Sequence, residues 1–212
     1  KSMMDSAFSE EDTPAEIVES AQKTVLSLGN ENKKVFTSSK DIVQDVIIDW
    51  EKAQNTGITP GIKSYIPELD KMTGGFQKQD LIIIGGRPSM GKTSLALSML
   101  DLQCQHNYNV GIFSLEISDN AVVSKLIVKN AKINFINARS GKLTAQEWER
   151  VTKASAIVHK YNLNVDSEGA LLISQIRARA RMLDHKMRVE TGQGLDIIYM
   201  DYLQLAHAKI SR

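Results

Sequence analysis

The stretch Asp80–Ser94 constrains this chain more than any other, reading Asp-Leu-Ile-Ile-Ile-Gly-Gly-Arg-Pro-Ser-Met-Gly-Lys-Thr-Ser. Leu81 to Ile84 form an apolar, β-branched run, Gly86-x-x-x-x-Gly91-Lys92-Thr93 follows at once, and Ser94 to Cys104 then has helical character. A strand, a glycine-bounded loop and a helix in that order commit the chain to an α/β fold and to binding a nucleoside triphosphate. The glycines let backbone N–H groups turn inward around a phosphate without Cβ clashes, and a helix beginning near Lys92 turns its positive end to the same point. Gly86, Arg87, Pro88, Ser89, Met90, Gly91, Lys92, Thr93 and Ser94 are the candidate phosphate-binding residues. Lys92 is expected to reach the β- and γ-phosphates, and Thr93 to offer its hydroxyl to Mg²⁺.

Binding alone hydrolyses nothing; a second carboxylate beside the metal and a group that activates water are also needed. Ile197-Ile198-Tyr199-Met200-Asp201 is an apolar strand ending in an acid. In an open α/β sheet that end meets the phosphate loop, which makes Asp201 the second candidate metal ligand. Glu116 closes the other strongly apolar strand, Val110 to Leu115, and can orient a water and accept its proton. Without further context, Glu116 reads equally well as a cap for the helix starting at Ser118-Asp119.

The remaining sequence excludes several classes. Lys plus Arg (26) and Asp plus Glu (25) nearly cancel in 212 residues, so no global basic field argues for nucleic acid. No apolar run reaches the roughly 20 residues of a membrane span, and the first residues lack a signal-like apolar core, so a cytoplasmic protein with no membrane partner is expected. The single cysteine, Cys104, reads as packing. Four scattered histidines show no ligand spacing, and no metal beyond nucleotide-bound Mg²⁺ is expected.

Along the chain, Thr13-Pro14-Ala15-Glu16 opens a narrow amphipathic helix ending at Gly29, which either folds onto the main domain or docks on another subunit. A linker segment, 1–34, is expected to hold this helix at 13–29, with the ATPase domain at 35–212. A second helix opens at Ser38 or Ser39, with Ile42, Val46, Trp50 and Ala53 on one face, and stops near Gly57. Pro67 to Met72 reads as one helical turn. Strands at Val110–Leu115, Leu163–Val165 and Asp196–Met200 alternate with helices at Asp119–Asn130, Thr144–Tyr161 and Leu171–Met187, which predicts a parallel sheet covered by helices. Ile133–Ser140 reads as a turn or short helix. Arg177, Arg179, Arg181, Lys186 and Arg188 make the last helix basic, a pattern that is more often a solvated face than a phosphate contact.

Three motifs together resemble the DnaB family of bacterial replicative helicases: Gly85 to Thr93, Phe113-Ser114-Leu115-Glu116, and Met200-Asp201-Tyr202-Leu203-Gln204-Leu205. Leu69 to Phe76 and Ser140-Gly141-Lys142-Leu143 extend the similarity across roughly Phe36 to Leu205. The resemblance implies a RecA-like P-loop ATPase with a mostly parallel sheet. It further implies a hexameric ring that couples ATP hydrolysis to 5′→3′ movement on single-stranded DNA and to duplex unwinding. It makes Lys92 and Glu116 catalytic and gives Thr93 and Asp201 to Mg²⁺. It casts the helix from Pro14 to Leu28 as a linker that packs on the adjacent subunit. Primase and a helicase loader are the implied partners. In that family the primase-engaging domain precedes the residue corresponding to Lys1. The sensor glutamine, the arginine finger and the DNA loops follow the residue corresponding to Arg212. The chain as written is therefore expected to be C-terminally incomplete and weakly active alone. A RecA-like ATPase that remodels protein or recombination complexes, and a catalytically silent assembly module, are the competing readings.

Overall fold

Alternate residues of the strand Val110-Gly111-Ile112-Phe113-Ser114 serve opposite faces of a sheet, and all five are buried. Such a strand needs cover on both sides, and the computed structural model supplies it; residues 38–56, 61–169 and 171–201 are described. The chain divides into two units, Lys1–Ile58 and Thr59–Arg212. Helix α1, Ser39–Thr56, therefore falls in the N-terminal unit, whereas the sequence suggests a boundary near Val35. It starts where the Ser38 hydroxyl accepts the Lys40 N–H at 3.3 Å, and its Ile42, Val46 and Trp50 are exposed. The helix expected over 13–29 lies outside the described residues.

The second unit begins with α2, Pro67–Thr73, which Pro67 opens and Gly74 closes in the left-handed conformation. The P-loop helix α3, Lys92–Gln105, leads to β1, Val110–Ser114. Helices α4, Asp119–Ala131, α5, Phe135–Arg139, and α6, Ala145–Val158, follow in turn. Strand β2 is Leu163–Asp166, helix α7 is Ile173–Thr191, and strand β3 is Ile197–Asp201. The boundaries match the sequence expectations to within a few residues. Local signals account for several of them. Ser118, Asn134 and Thr144 cap α4, α5 and α6, and Thr144 forms a capping box with Glu147.

The three strands are parallel in the order β2-β1-β3. Val110 and Ile112 pack with Leu97, Leu100 and Cys104 of α3 and with Val122 and Leu126 of α4 on one face. Phe113 packs with Leu115, Leu171 and Ile176 on the other. Gly111 lets α7 approach that second face closely, because a Cβ there would stand 3.0 Å from Leu183 Cδ2.

Leu81–Ile84 departs from expectation. The run carries no strand assignment and pairs with no strand among the described residues, and Leu81 and Ile83 are 84% and 73% exposed. An apolar β-branched run specifies an extended segment; what it pairs with is a non-local matter that the run itself does not encode.

Candidate nucleotide site

The head of α3 is built to leave backbone donors open. Gly91 occupies its N-cap position at φ 88°, and Ser89 two residues earlier has φ 63°. Left-handed residues this close together curl the loop so that its N–H groups face a common point. No side chain caps the helix, and its first turn carries no acid, so the uncapped amides and the positive helix end remain available to an anion. Lys92 folds back over the loop and donates to the Gly86 carbonyl at 2.9 Å and the Arg87 carbonyl at 3.2 Å. Gly86 is where that stem passes, since a Cβ there would lie 3.4 Å from Lys92 Cγ. Arg87, Pro88, Met90 and Ser94 are exposed around the loop.

Asp201 comes to this loop from 108 residues away. The Thr93 hydroxyl donates to Asp201 Oδ2 at 2.8 Å, and both residues are half-buried. Parallel pairing of β1 and β3 sets this up: Ser114 stands opposite Asp201, and the Leu115 N–H donates to the Asp201 carbonyl at 2.8 Å. Glu116, the next residue, therefore lies at the same carboxyl edge of the sheet, with an exposed side chain. The capping alternative for Glu116 is taken by Ser118, whose hydroxyl accepts the Ala121 N–H at 3.3 Å.

A hydroxyl and a carboxylate converging at the head of a phosphate loop are hard oxygen donors, the set a small divalent cation prefers. Lys92 and Thr93 are adjacent at the head of α3, Asp201 is joined to Thr93, and Glu116 follows β1 at the same carboxyl edge of the sheet. Three basic residues of α7 are occupied elsewhere. Arg179 is paired with Asp166 at 2.8 Å and with Glu168, Arg188 with Asp184 at 2.9 Å, and Lys186 lies 3.9 Å from Glu190.

Sequence reading missed the polar groups that hold α3 in place. Asp101, 2% exposed, accepts from Lys129 at 2.7 Å, Asn130 at 2.8 Å and the Tyr161 hydroxyl at 2.7 Å. Burial and the neighbouring Asp101 carboxylate push the Tyr161 hydroxyl well above the usual phenol range, so it stays a donor. The available signal was a pair of polar residues, Asp101 and Gln103, set among Leu97, Leu100 and Cys104. Cys104 is buried in that cluster, as its packing reading expects.

Comparison with known proteins places this arrangement. Residues 61–212 match the family described as DnaB-like helicase C terminal domain. The chain is 33% identical over 201 residues to the replicative DNA helicase DnaC of Bacillus subtilis (strain 168), covering 93% of this chain and 43% of that protein. It is 33% identical over 207 residues to the replicative DNA helicase DnaB of Geobacillus stearothermophilus, covering 96% and 44%. A solved structure described as an ATPase domain matches with a TM-score of 0.73 at 26% identity, covering 81% of this chain and 59% of that one. A DnaB-like replicative helicase, solved in a study of its interactions with primase, matches with a TM-score of 0.70 at 25% identity, covering 93% and 47%. The chain spans less than half the length of the curated relatives it matches. Its parallel, helix-flanked sheet is the RecA-like α/β fold of these ATPase domains. A phosphate loop joined to the acid of a distant parallel strand, a match across 61–212 and one-third identity over nearly the whole chain all agree: the chain belongs to the DnaB-like helicase C-terminal domain family.

Proposed function

We propose that this chain is the motor domain of a replicative DNA helicase, which binds Mg²⁺-ATP and couples its hydrolysis to 5′→3′ movement on single-stranded DNA and to duplex unwinding. The observation that carries the reading is the Thr93–Asp201 hydrogen bond at 2.8 Å. It joins the two oxygen donors a phosphate-bound cation needs, and the family match supplies the context.

In this reading the loop amides from Gly86 to Lys92 cradle the phosphates. The Lys92 ammonium exchanges the Gly86 and Arg87 carbonyls for β- and γ-phosphate oxygens and balances the charge that develops there. Thr93 and Asp201 would hold Mg²⁺, which would supply positive charge beside the phosphates. Glu116 orients the attacking water and accepts its proton. Relatives named replicative DNA helicases support DNA as the track; a single strand of it, a hexameric ring as the assembly and the cytoplasm as the compartment are proposed from the family resemblance. Primase is proposed as a partner because a matching structure was solved in a study of that interaction, and a loader from the family resemblance.

Phosphate release with and without single-stranded DNA, measured on the wild type and two variants, tests the reading. Lys92→Ala should lose nucleotide binding or hydrolysis. Glu116→Gln should bind nucleotide normally and lose about 10²- to 10⁴-fold in turnover. Full affinity and hydrolysis in Lys92→Ala would refute the site assignment, and stimulation by a protein client but not by DNA would refute the helicase.

A further inference from the structure

Gln103 is completely buried on α3, and a core amide is costly to desolvate unless both its ends are hydrogen-bonded. Both are. Its Nε2 donates to the Lys63 carbonyl at 3.0 Å, and its Oε1 accepts the Tyr199 hydroxyl at 2.7 Å. Tyr199 precedes Asp201 by two residues in β3, so the period of a strand places both side chains on one face.

Helix α3 therefore meets β3 at two polar points, Thr93 on Asp201 and Gln103 on Tyr199. Ten residues of helix separate Thr93 from Gln103, about 15 Å along the axis. Leu97, Leu100 and Cys104 hold α3 to the sheet by packing, but non-directional contacts tolerate small slides and tilts that a short hydrogen bond does not. Asp101 ties α3 to α4 and to Tyr161, not to β3; against β3 itself a single polar contact leaves the helix able to pivot about it, and two fix its angle.

We propose that Gln103 and Tyr199 form a positioning pair for the nucleotide site, setting the angle of α3 on β3 so that the Thr93 hydroxyl and the Asp201 carboxylate stay close enough to serve one cation. The proposal rests on the reading of Thr93 and Asp201 as the Mg²⁺ ligands. Gln103 and Tyr199 touch neither nucleotide nor metal; they act through Thr93 and Asp201. The consequence is a defect confined to metal-assisted binding.

The test uses the full 212-residue chain and a fluorescent N-methylanthraniloyl derivative of ATP, titrated in Mg²⁺ and again in EDTA. Tyr199→Phe removes one hydroxyl. It should weaken binding in Mg²⁺ on the order of fivefold, the scale of a single hydrogen bond, and leave binding in EDTA within about twofold. Tyr199→Phe combined with Gln103→Met removes the orphaned amide oxygen as well. It should recover much of the lost thermal midpoint while the response to Mg²⁺ stays weakened. The Lys63 carbonyl loses its Gln103 donor in that variant, which is why the recovery is partial. Should Tyr199→Phe fail to fold, the double variant carries the same test. An unchanged Mg²⁺ response in either folded variant, or recovery of that response together with the midpoint, overturns the positioning role while leaving the nucleotide site standing. A wild-type chain that binds the nucleotide no better in Mg²⁺ than in EDTA overturns both.

Discussion

Removing the Asp101 carboxylate should be among the most damaging single changes to this domain. Its oxygens gather Lys129 and Asn130 of α4 and the hydroxyl of Tyr161 beyond α6, with Gln105 at 3.3 Å. The four donors do not lose equally in Asp101→Ala. Lys129 has a side chain 38% exposed and returns largely to water, so its share is small. Asn130 keeps the Leu126 carbonyl at 2.9 Å, and Gln105 keeps the Asn130 side-chain oxygen at 3.2 Å. Tyr161 loses its short acceptor in a part-buried setting, which costs about 1–3 kcal/mol by itself. Adding the broken charge-assisted bonds gives roughly 3–5 kcal/mol, against a typical total stability of about 5–15 kcal/mol. Asp101→Asn keeps an acceptor for Tyr161 and should cost about 1–2 kcal/mol, while Lys129→Met leaves the buried carboxylate without its counter-charge and should cost about 1.5–3 kcal/mol. Urea denaturation followed by circular dichroism reads all three. Asp101→Ala is predicted to cost more than either of the other two. A loss under about 1 kcal/mol for Asp101→Ala, or a larger loss for Lys129→Met, would show that the network does not hold α3 as argued.

Other expectations follow from single contacts. Gly111→Ala sets a Cβ 3.0 Å from Leu183 Cδ2 and 3.4 Å from Leu195 Cδ1, and should cost about 1–3 kcal/mol in a thermal or urea melt. Burial pushes the Cys104 thiol up to about 12, with the Asp101 carboxylate adding to it. The native thiol should therefore resist a disulfide reagent at pH 8 and react fully in urea. Because the folded value is raised, its stabilising contribution is complete below the unfolded value near 8.5 and is lost as pH rises toward 12. Asp184 is held below the usual carboxylate range, first by the Arg188 side chain and then by the Leu195 N–H, so its contribution is present above about pH 4 and fades as acid protonates it. Asp184→Asn should accordingly narrow the difference between melts at pH 7 and pH 3. Lys132 ends α4 at φ 52°, and Lys132→Gly should raise stability by about 0.5–1 kcal/mol.

How much of the site could be read in advance differs by residue. The loop of Gly86, Gly91, Lys92 and Thr93 was legible because a phosphate-loop pattern is local: the residues that shape the turn are close together in the chain. Asp201 was legible as a strand-end acid, but its bond to Thr93 is not in the sequence, because it follows from β3 pairing with β1 beside the helix. Glu116 carried two readings of nearly equal merit. The cap itself is made by Ser118, and that is a contact the sequence did not single out. The basic run of α7 looked like a surface stripe, and the fold spent Arg179 and Arg188 on acids of the same domain.

The sequence alone determined the alternation of strand and helix, the phosphate loop and the capped helix starts, because periodicity, turn residues and capping act over a few residues at a time. Tertiary structure decided the rest. It chose the order β2-β1-β3 and turned Asp101 and Gln103 inward as hydrogen-bonded anchors. It also left Leu81–Ile84 with no strand partner among the described residues. Each of these depends on which distant segment supplies a hydrogen-bond partner. A buried polar group is tolerated only where that partner arrives, so pairing across the fold decides what a local pattern leaves open.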